Sequence, residues 1–234
     1  MNLLSINKMS SGYGNKQVLF DVTLNVEEGN VVLLVGSNGS GKSTLLKAVC
    51  GIASVWSGNI NYDGALLQSR EKPSPTHSLL KRGIQYVPQK NELFDDATVM
   101  ENLQYALLHL NNRKESAKRI EEVLEVVPSL KPMHRQQAAK LSGGERKMLA
   151  LGMVMANRPR LLLYDEPLAG LSDDNIPMVL DMLGRLRTAG TTMLIVEHHV
   201  KEMMAFADTT HGMRLGLLSE KPLTTLEEIK EIML

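Results

Sequence analysis

Apolar and polar residues alternate over residues 3–9 and again over 21–26 (DVTLNV), the period-two pattern of strands with one face on a core and one on water. Three later stretches, 31–35, 161–164 and 193–196, are apolar throughout. They are far too short to cross a membrane, which takes about 20 apolar residues. They fit parallel strands covered on both faces. Shorter strands are expected at 59–63 and 84–87, with a proline-containing surface loop at 71–76 and Trp56 in a turn. The period lengthens to that of helices at 42–49, 100–110, 114–127, 145–156 and 175–187, with Pro177 tolerated in the first turn of the last. The order is therefore a strand-rich start, an α/β core, a helical stretch, and α/β again. This predicts one α/β domain over 1–234: a core subdomain of about 1–90 and 157–234 with a mainly parallel sheet, an N-terminal antiparallel β region, and an inserted helical subdomain of about 91–156.

Composition narrows the function classes. Lys+Arg and Asp+Glu are both 26, so the net charge is zero, against a chain that coats nucleic acid. With 43% hydrophobic and 22% charged residues the chain is globular rather than disordered or membrane-integral. Aromatics are only 4%, so the core must be aliphatic. A single cysteine, Cys50, excludes a disulfide framework, fits a reducing compartment, and is expected to be a small core residue. The N-terminus shows no basic start followed by an apolar run, so no signal peptide is expected.

Gly36-Ser37-Asn38-Gly39-Ser40-Gly41-Lys42-Ser43 fits G-x-x-x-x-G-K-[ST] after an apolar strand and at the opening of a helix that continues with Thr44. Backbone N–H groups in such a loop curl around phosphate oxygens, and the helix N-terminus adds partial positive charge. Lys42 would reach the β- and γ-phosphates and the Ser43 hydroxyl would hold Mg²⁺. The loop defines a P-loop NTPase core but specifies only a nucleoside triphosphate; a ligand-free glycine turn is the bland alternative. The run 161–164 ends in Asp165 and Glu166. Asp165 would face the Mg²⁺ shell, and Glu166 could orient or deprotonate a water. Acidic strand ends are common, so this pair gains weight only beside the phosphate loop.

Between these motifs stands Leu141-Ser142-Gly143-Gly144-Glu145, a second glycine-rich helix start. Ser142 as a helix cap explains the serine but not two glycines. With this motif the chain resembles the ATP-binding subunits of ABC (ATP-binding cassette) transporters, over about residues 13–213. The stretch LSGGERKMLALGMVMANRPRLLLYDEPLAGLS is most similar to the branched-chain (hydrophobic) amino-acid uptake group.

The resemblance implies an ATPase using ATP and Mg²⁺. It implies Tyr13 as the ring stacked on adenine, Gln89 as a glutamine touching Mg²⁺ and sensing the membrane partner, and His198 as a switch histidine at the γ-phosphate. Ser142, Gly143 and Gly144 would cap the γ-phosphate held by another cassette. Catalytic roles thus fall to Glu166, His198, Gln89 and Lys42, and metal contacts to Ser43, Gln89 and Asp165. The implied partners are a second ABC ATPase subunit, integral membrane permease subunits that dock beside Gln89 and the helical insertion, and indirectly a solute-binding protein, with no nucleic acid. The implied location is cytoplasmic, peripheral on the inner face of the cell membrane. His199 is expected to face solvent. Ser172 stands where the family often has Asp, and 208–211 departs from the family's usual apolar strand. A soluble ABC-type ATPase of DNA repair or translation competes with this reading. Against it, the chain has one cassette, no heptad run and a single cysteine.

Overall fold

A computed structural model describes residues 1–90 and 92–233. The domain boundary expected at 91 lies outside the described residues.

Two sheets share one chain. Strands β1 (Asn2–Tyr13), β2 (Lys16–Glu27), β4 (Ser54–Tyr62) and β5 (Ala65–Ser69) form an antiparallel sheet in the order β2-β1-β4-β5. Strands β3 (Val31–Val35), β6 (Ile84–Val87), β7 (Leu161–Asp165), β8 (Thr192–Val196), β9 (Thr209–Arg214) and β10 (Leu217–Leu218) form the second, in the order β10-β9-β3-β8-β7-β6. All of its pairings are parallel except the short β9–β10 edge. The α/β class, the mainly parallel sheet and the antiparallel N-terminal region all stand as expected.

The unbroken apolar runs follow from covering on both sides. Val31, Leu33 and Val35 of β3 join one core cluster, and Val32 and Leu34 the other. In β7, Leu162 and Tyr164 face the first cluster and Leu161 and Leu163 the second; β8 divides likewise. The second cluster lies beneath the antiparallel sheet and includes α1 (Lys42–Val49). The first is closed by α2 (Val99–Ala106), α3 (Arg113–Val126), α4 (Gly143–Asn157) and α5 (Ile176–Thr188). Two further helices, α6 (Val200–Phe206) and α7 (Leu226–Met233), flank the C-terminal strands. Thr98 opens α2 and Ser142 opens α4 with reciprocal capping boxes to Glu101 and Glu145. Met203 is buried, and Met148, Met153 and Met155 pack against the core.

Two expectations need correction. Trp56 is not in a turn: it lies half-buried inside β4. Just beyond it, Ser57-Gly58 forms a bulge, where Gly58 at φ +72° lies against Lys8 and the β1–β4 register shifts. His199 is half-buried rather than solvent-facing. The 209–214 tail, despite Thr-Thr-His, forms β9, in parallel register with β3 through Val32↔Thr209 and Val35↔Gly212. Cys50 is fully buried, and burial pushes its thiol up to about 12, so it is inert core.

Candidate nucleotide site

Parallel pairing brings the C-terminal ends of β3, β6, β7 and β8 to one edge, where ligands of open α/β sheets bind. Each of these ends delivers a candidate residue. After Val35 the phosphate loop turns into α1. Its tip, Asn38 and Gly39, is exposed, while Ser40, Gly41 and Lys42 are buried. Gly41 adopts φ +110° at the helix cap, and a Cβ there would lie 2.6 Å from Leu19 of β2. Only glycine fits that combination.

Lys42 folds back over the loop, its Nζ donating to the Gly36 carbonyl at 2.8 Å and the Ser37 carbonyl at 3.0 Å, with Ser40 Oγ at 3.4 Å. Burial lowers its ammonium pKa, and the Glu166 and Asp165 carboxylates oppose that shift. Ser43 Oγ, at the start of α1, donates to Asp165 Oδ1 at the end of β7 at 3.0 Å. Asp165 is held above its usual range by burial, with Ser43 pulling it back down and Glu166 adding to the rise. Thr44 is buried in α1.

Glu166 follows β7 in a left-handed turn at φ +56°, a conformation that costs a non-glycine residue about 1–3 kcal/mol. Its amide donates to the Val196 carbonyl at 2.8 Å. One carboxylate oxygen lies 3.0 Å from His198 Nε2, and the other accepts from Gln89 Nε2. Gln89, expected to touch both metal and partner, places its amide on Glu166. Tyr13, the last residue of β1 before its turn into β2, is 43% exposed. That hairpin borders the phosphate loop: Leu19 packs at Gly41, Phe20 N donates to the Gly216 carbonyl, and Gly216 N donates to the Ser40 carbonyl.

The glycine-rich start of α4 stands apart, lining a cavity with Gln89, Lys90, Ala169 and Gly170. The two glycines are not equivalent. A Cβ at Gly144 would press the Asn175 side chain at 3.0 Å, so a larger residue there would have to push Asn175 aside. At Gly143 the nearest atom is the Gly170 carbonyl at 3.8 Å, ordinary contact distance. The fold of this chain does not require a glycine at that position.

Sequence reasoning passed over Glu197. It is fully buried, and its carboxylate accepts from the amides of Leu168 (2.7 Å), His198 (2.7 Å) and His199 (3.2 Å). It thereby ties the histidine turn to the segment after Glu166. The signal was present: an acid directly after an apolar strand, as at Asp165. It also passed over the buried ion pair of Lys147 in α4 with Glu92, three residues beyond Gln89.

The donor set fits Mg²⁺ carried by a nucleotide. Ser43 and Asp165 offer two adjacent hard oxygens, and Mg²⁺ is usually held by one or two such groups plus phosphates and water. Among the described residues no cluster of three or more His, Cys, Asp or Glu side chains could cage a metal by itself.

A phosphate loop after β3, an acid pair at the end of β7 and a capped glycine helix are the parts of an ATP-binding cassette, and the comparisons agree. The ABC transporter family model matches residues 19–169. The chain belongs to the ABC transporter family as an ATP-binding, ATP-hydrolysing subunit coupled to transport. It is 36% identical, over 92% of its length and 90% of the relative's, to the high-affinity branched-chain amino acid transport ATP-binding protein BraG of Pseudomonas aeruginosa. It is 35% identical, over 89% of its length and 87% of the relative's, to the probable branched-chain amino acid transport ATP-binding protein LivF of Archaeoglobus fulgidus. Its fold superimposes with TM-score 0.84 and 25% identity on the ADP conformation of an ATP-binding cassette of an ABC transporter, covering 99% of this chain and 94% of that one.

Proposed function

We propose that this chain energises uptake of branched-chain or other hydrophobic amino acids through separate permease subunits, as one of two cassettes at the inner face of the cell membrane. No helix among the described residues is long and apolar enough to cross a membrane, so in this reading the pathway belongs to other chains. The substrate class rests on the likeness to the BraG and LivF proteins.

The observation that carries the catalytic reading is the grip on Glu166 by His198 and Gln89, one group on each oxygen. In the proposed cycle Lys42 leaves its loop carbonyls for the β- and γ-phosphates. Ser43 and Asp165 hold Mg²⁺, which supplies charge neutralisation on those phosphates. Glu166 accepts the proton of the attacking water, and His198 and Gln89 fix the carboxylate that receives it. Tyr13 stacks on the adenine. Ser142, Gly143 and Gly144 reach the nucleotide of a second cassette. The spare room at Gly143 suits this, because the missing side chain leaves space for an outside group. Region 91–156 acts as the inserted helical subdomain. The permease docks beside it, in the cleft of about 460 Å³ lined by Leu80, Tyr86, Phe94, Tyr105 and Met153. A solute-binding protein would deliver the amino acid on the far side.

The experiment is reconstitution of the full chain with its permeases and second cassette in vesicles. ATP-dependent accumulation of labelled leucine is expected. Intact ATP hydrolysis with no accumulation of any hydrophobic amino acid would overturn the substrate class.

A further inference from the structure

Lys147 sits in the second turn of α4 with its side chain 9% exposed, paired with an equally buried Glu92. Its Nζ also lies 3.5 Å from the Glu166 carbonyl oxygen and 5.5 Å from the centre of the Tyr164 ring. One ammonium therefore joins three segments: the glycine-started helix, the stretch after Gln89, and the turn that presents Glu166. A buried ion pair is a poor means of stability alone, because desolvation offsets most of the attraction and apolar residues would fill the space as well. Its better-attested use is to fix one arrangement against alternatives. Here the arrangement includes the left-handed Glu166 turn, which tends to relax unless its surroundings hold it.

We propose that the Lys147–Glu92 pair is a positioning latch that locks the Glu166 turn to α4, so that the two move as one body. The inference rests on the two-cassette reading above. In that reading Glu166 serves this chain's own nucleotide and the N-terminus of α4 serves the partner's. A shift of α4 on leaving the partner would then displace Glu166 as well. Through Glu92 the same shift is shared with the segment after Gln89, toward the proposed permease cleft. Lys147 and Glu92 touch no phosphate in this scheme; they act through Glu166 and α4.

The test is the double variant Lys147→Met/Glu92→Gln in the full chain, which removes both charges and leaves no buried ion unpaired. The phosphate loop is untouched, so ATP affinity and KM should stay within about twofold of wild type. The kcat should fall by about 10- to 100-fold, the usual result of a small misplacement of a reacting group. Titration of nucleotide-binding sites separates this from partial unfolding, which would remove sites and activity in equal measure. Lys147→Gln/Glu92→Gln keeps an N–H donor near the Glu166 carbonyl and should recover part of the lost kcat. Wild-type kcat in the Met/Gln variant, or no recovery in the Gln/Gln variant, overturns the latch. A wild-type chain that hydrolyses no ATP would instead overturn the reading on which the latch rests.

Discussion

His198 Nε2 stands 3.0 Å from Glu166 Oε1, across the β7–β8 boundary where Asp165 is in register with Val196. Gln89, arriving from β6 on the other side of β7, holds the second oxygen. Three adjacent parallel strands thus converge on one carboxylate. With one partner on each oxygen, the carboxylate loses its rotational freedom.

Glu166→Gln follows directly. The amide keeps the shape and can still meet His198 and Gln89, but it cannot take a proton. Hydrolysis should slow by roughly 10²–10⁴-fold, the usual contribution of a positioned base, with ATP binding retained. ATP should then hold a long-lived dimer, visible by gel filtration. Wild-type turnover in this variant would remove Glu166 from the role.

The burial of Asp165 has a pH signature. Its carboxyl lies above the ordinary 3.8 in the folded chain, so folding favours its protonated form. The associated stability is fully present below about 3.8 and is lost as pH rises through the higher folded value. At neutral pH the ionised group opposes folding of the nucleotide-free chain. Asp165→Asn should therefore raise the thermal midpoint at pH 7, with the gain shrinking toward pH 4, while Mg²⁺-dependent hydrolysis is lost. A lower midpoint at pH 7 would contradict this.

The shared site can be tested by mixing. Gly143→Asp places a carboxylate at the opening of α4, which in the two-cassette proposal meets another chain's γ-phosphate, where repulsion in a poorly hydrated gap is costly. Its own phosphate loop is intact, so it should bind ATP and fail to hydrolyse it. Lys42→Ala fails differently, by losing nucleotide affinity. In a dimer of the two, one composite site carries both lesions and the other neither, so activity should return. If the natural partner is a different cassette, one lesion goes in each subunit. Full hydrolysis by monomeric Gly143→Asp would exclude the two-chain site.

Tyr13→Ala should weaken ATP binding by about 1–3 kcal/mol if the exposed ring is the adenine platform. Stacking discriminates weakly among bases, so GTP should compete measurably. Unchanged ATP affinity, measured by calorimetry, would place the base elsewhere.

What could be read from the sequence follows the physics of burial. Strands β3, β7 and β8 announce themselves because both faces are covered and the runs 31–35, 161–164 and 193–196 within them are apolar throughout. The phosphate loop is legible because its glycines and lysine are fixed by local backbone geometry. Strand β9 is not, since Thr209, Thr210 and His211 lack the apolar run; Thr210 is buried all the same. The Lys147–Glu92 pair was illegible for another reason. Its members are 55 positions apart, and each alone resembles a solvated surface charge. Only the packing of α4 against the segment that follows β6 brings them together.

The strand order also sets a timetable for synthesis. β3, which carries the phosphate loop, is flanked by β8 and β9, and both come from the last fifth of the chain. During translation the loop emerges early, yet its strand stays unpaired on both sides until Thr192–Val196 and Thr209–Arg214 leave the ribosome. Pairings so distant in sequence form slowly, because the loop-closure entropy must be met first. A nascent or C-terminally truncated chain would carry the whole phosphate-binding motif without a sheet to hold it. The nucleotide site therefore matures only after Thr192–Val196 and Thr209–Arg214 have been made, long after its own loop.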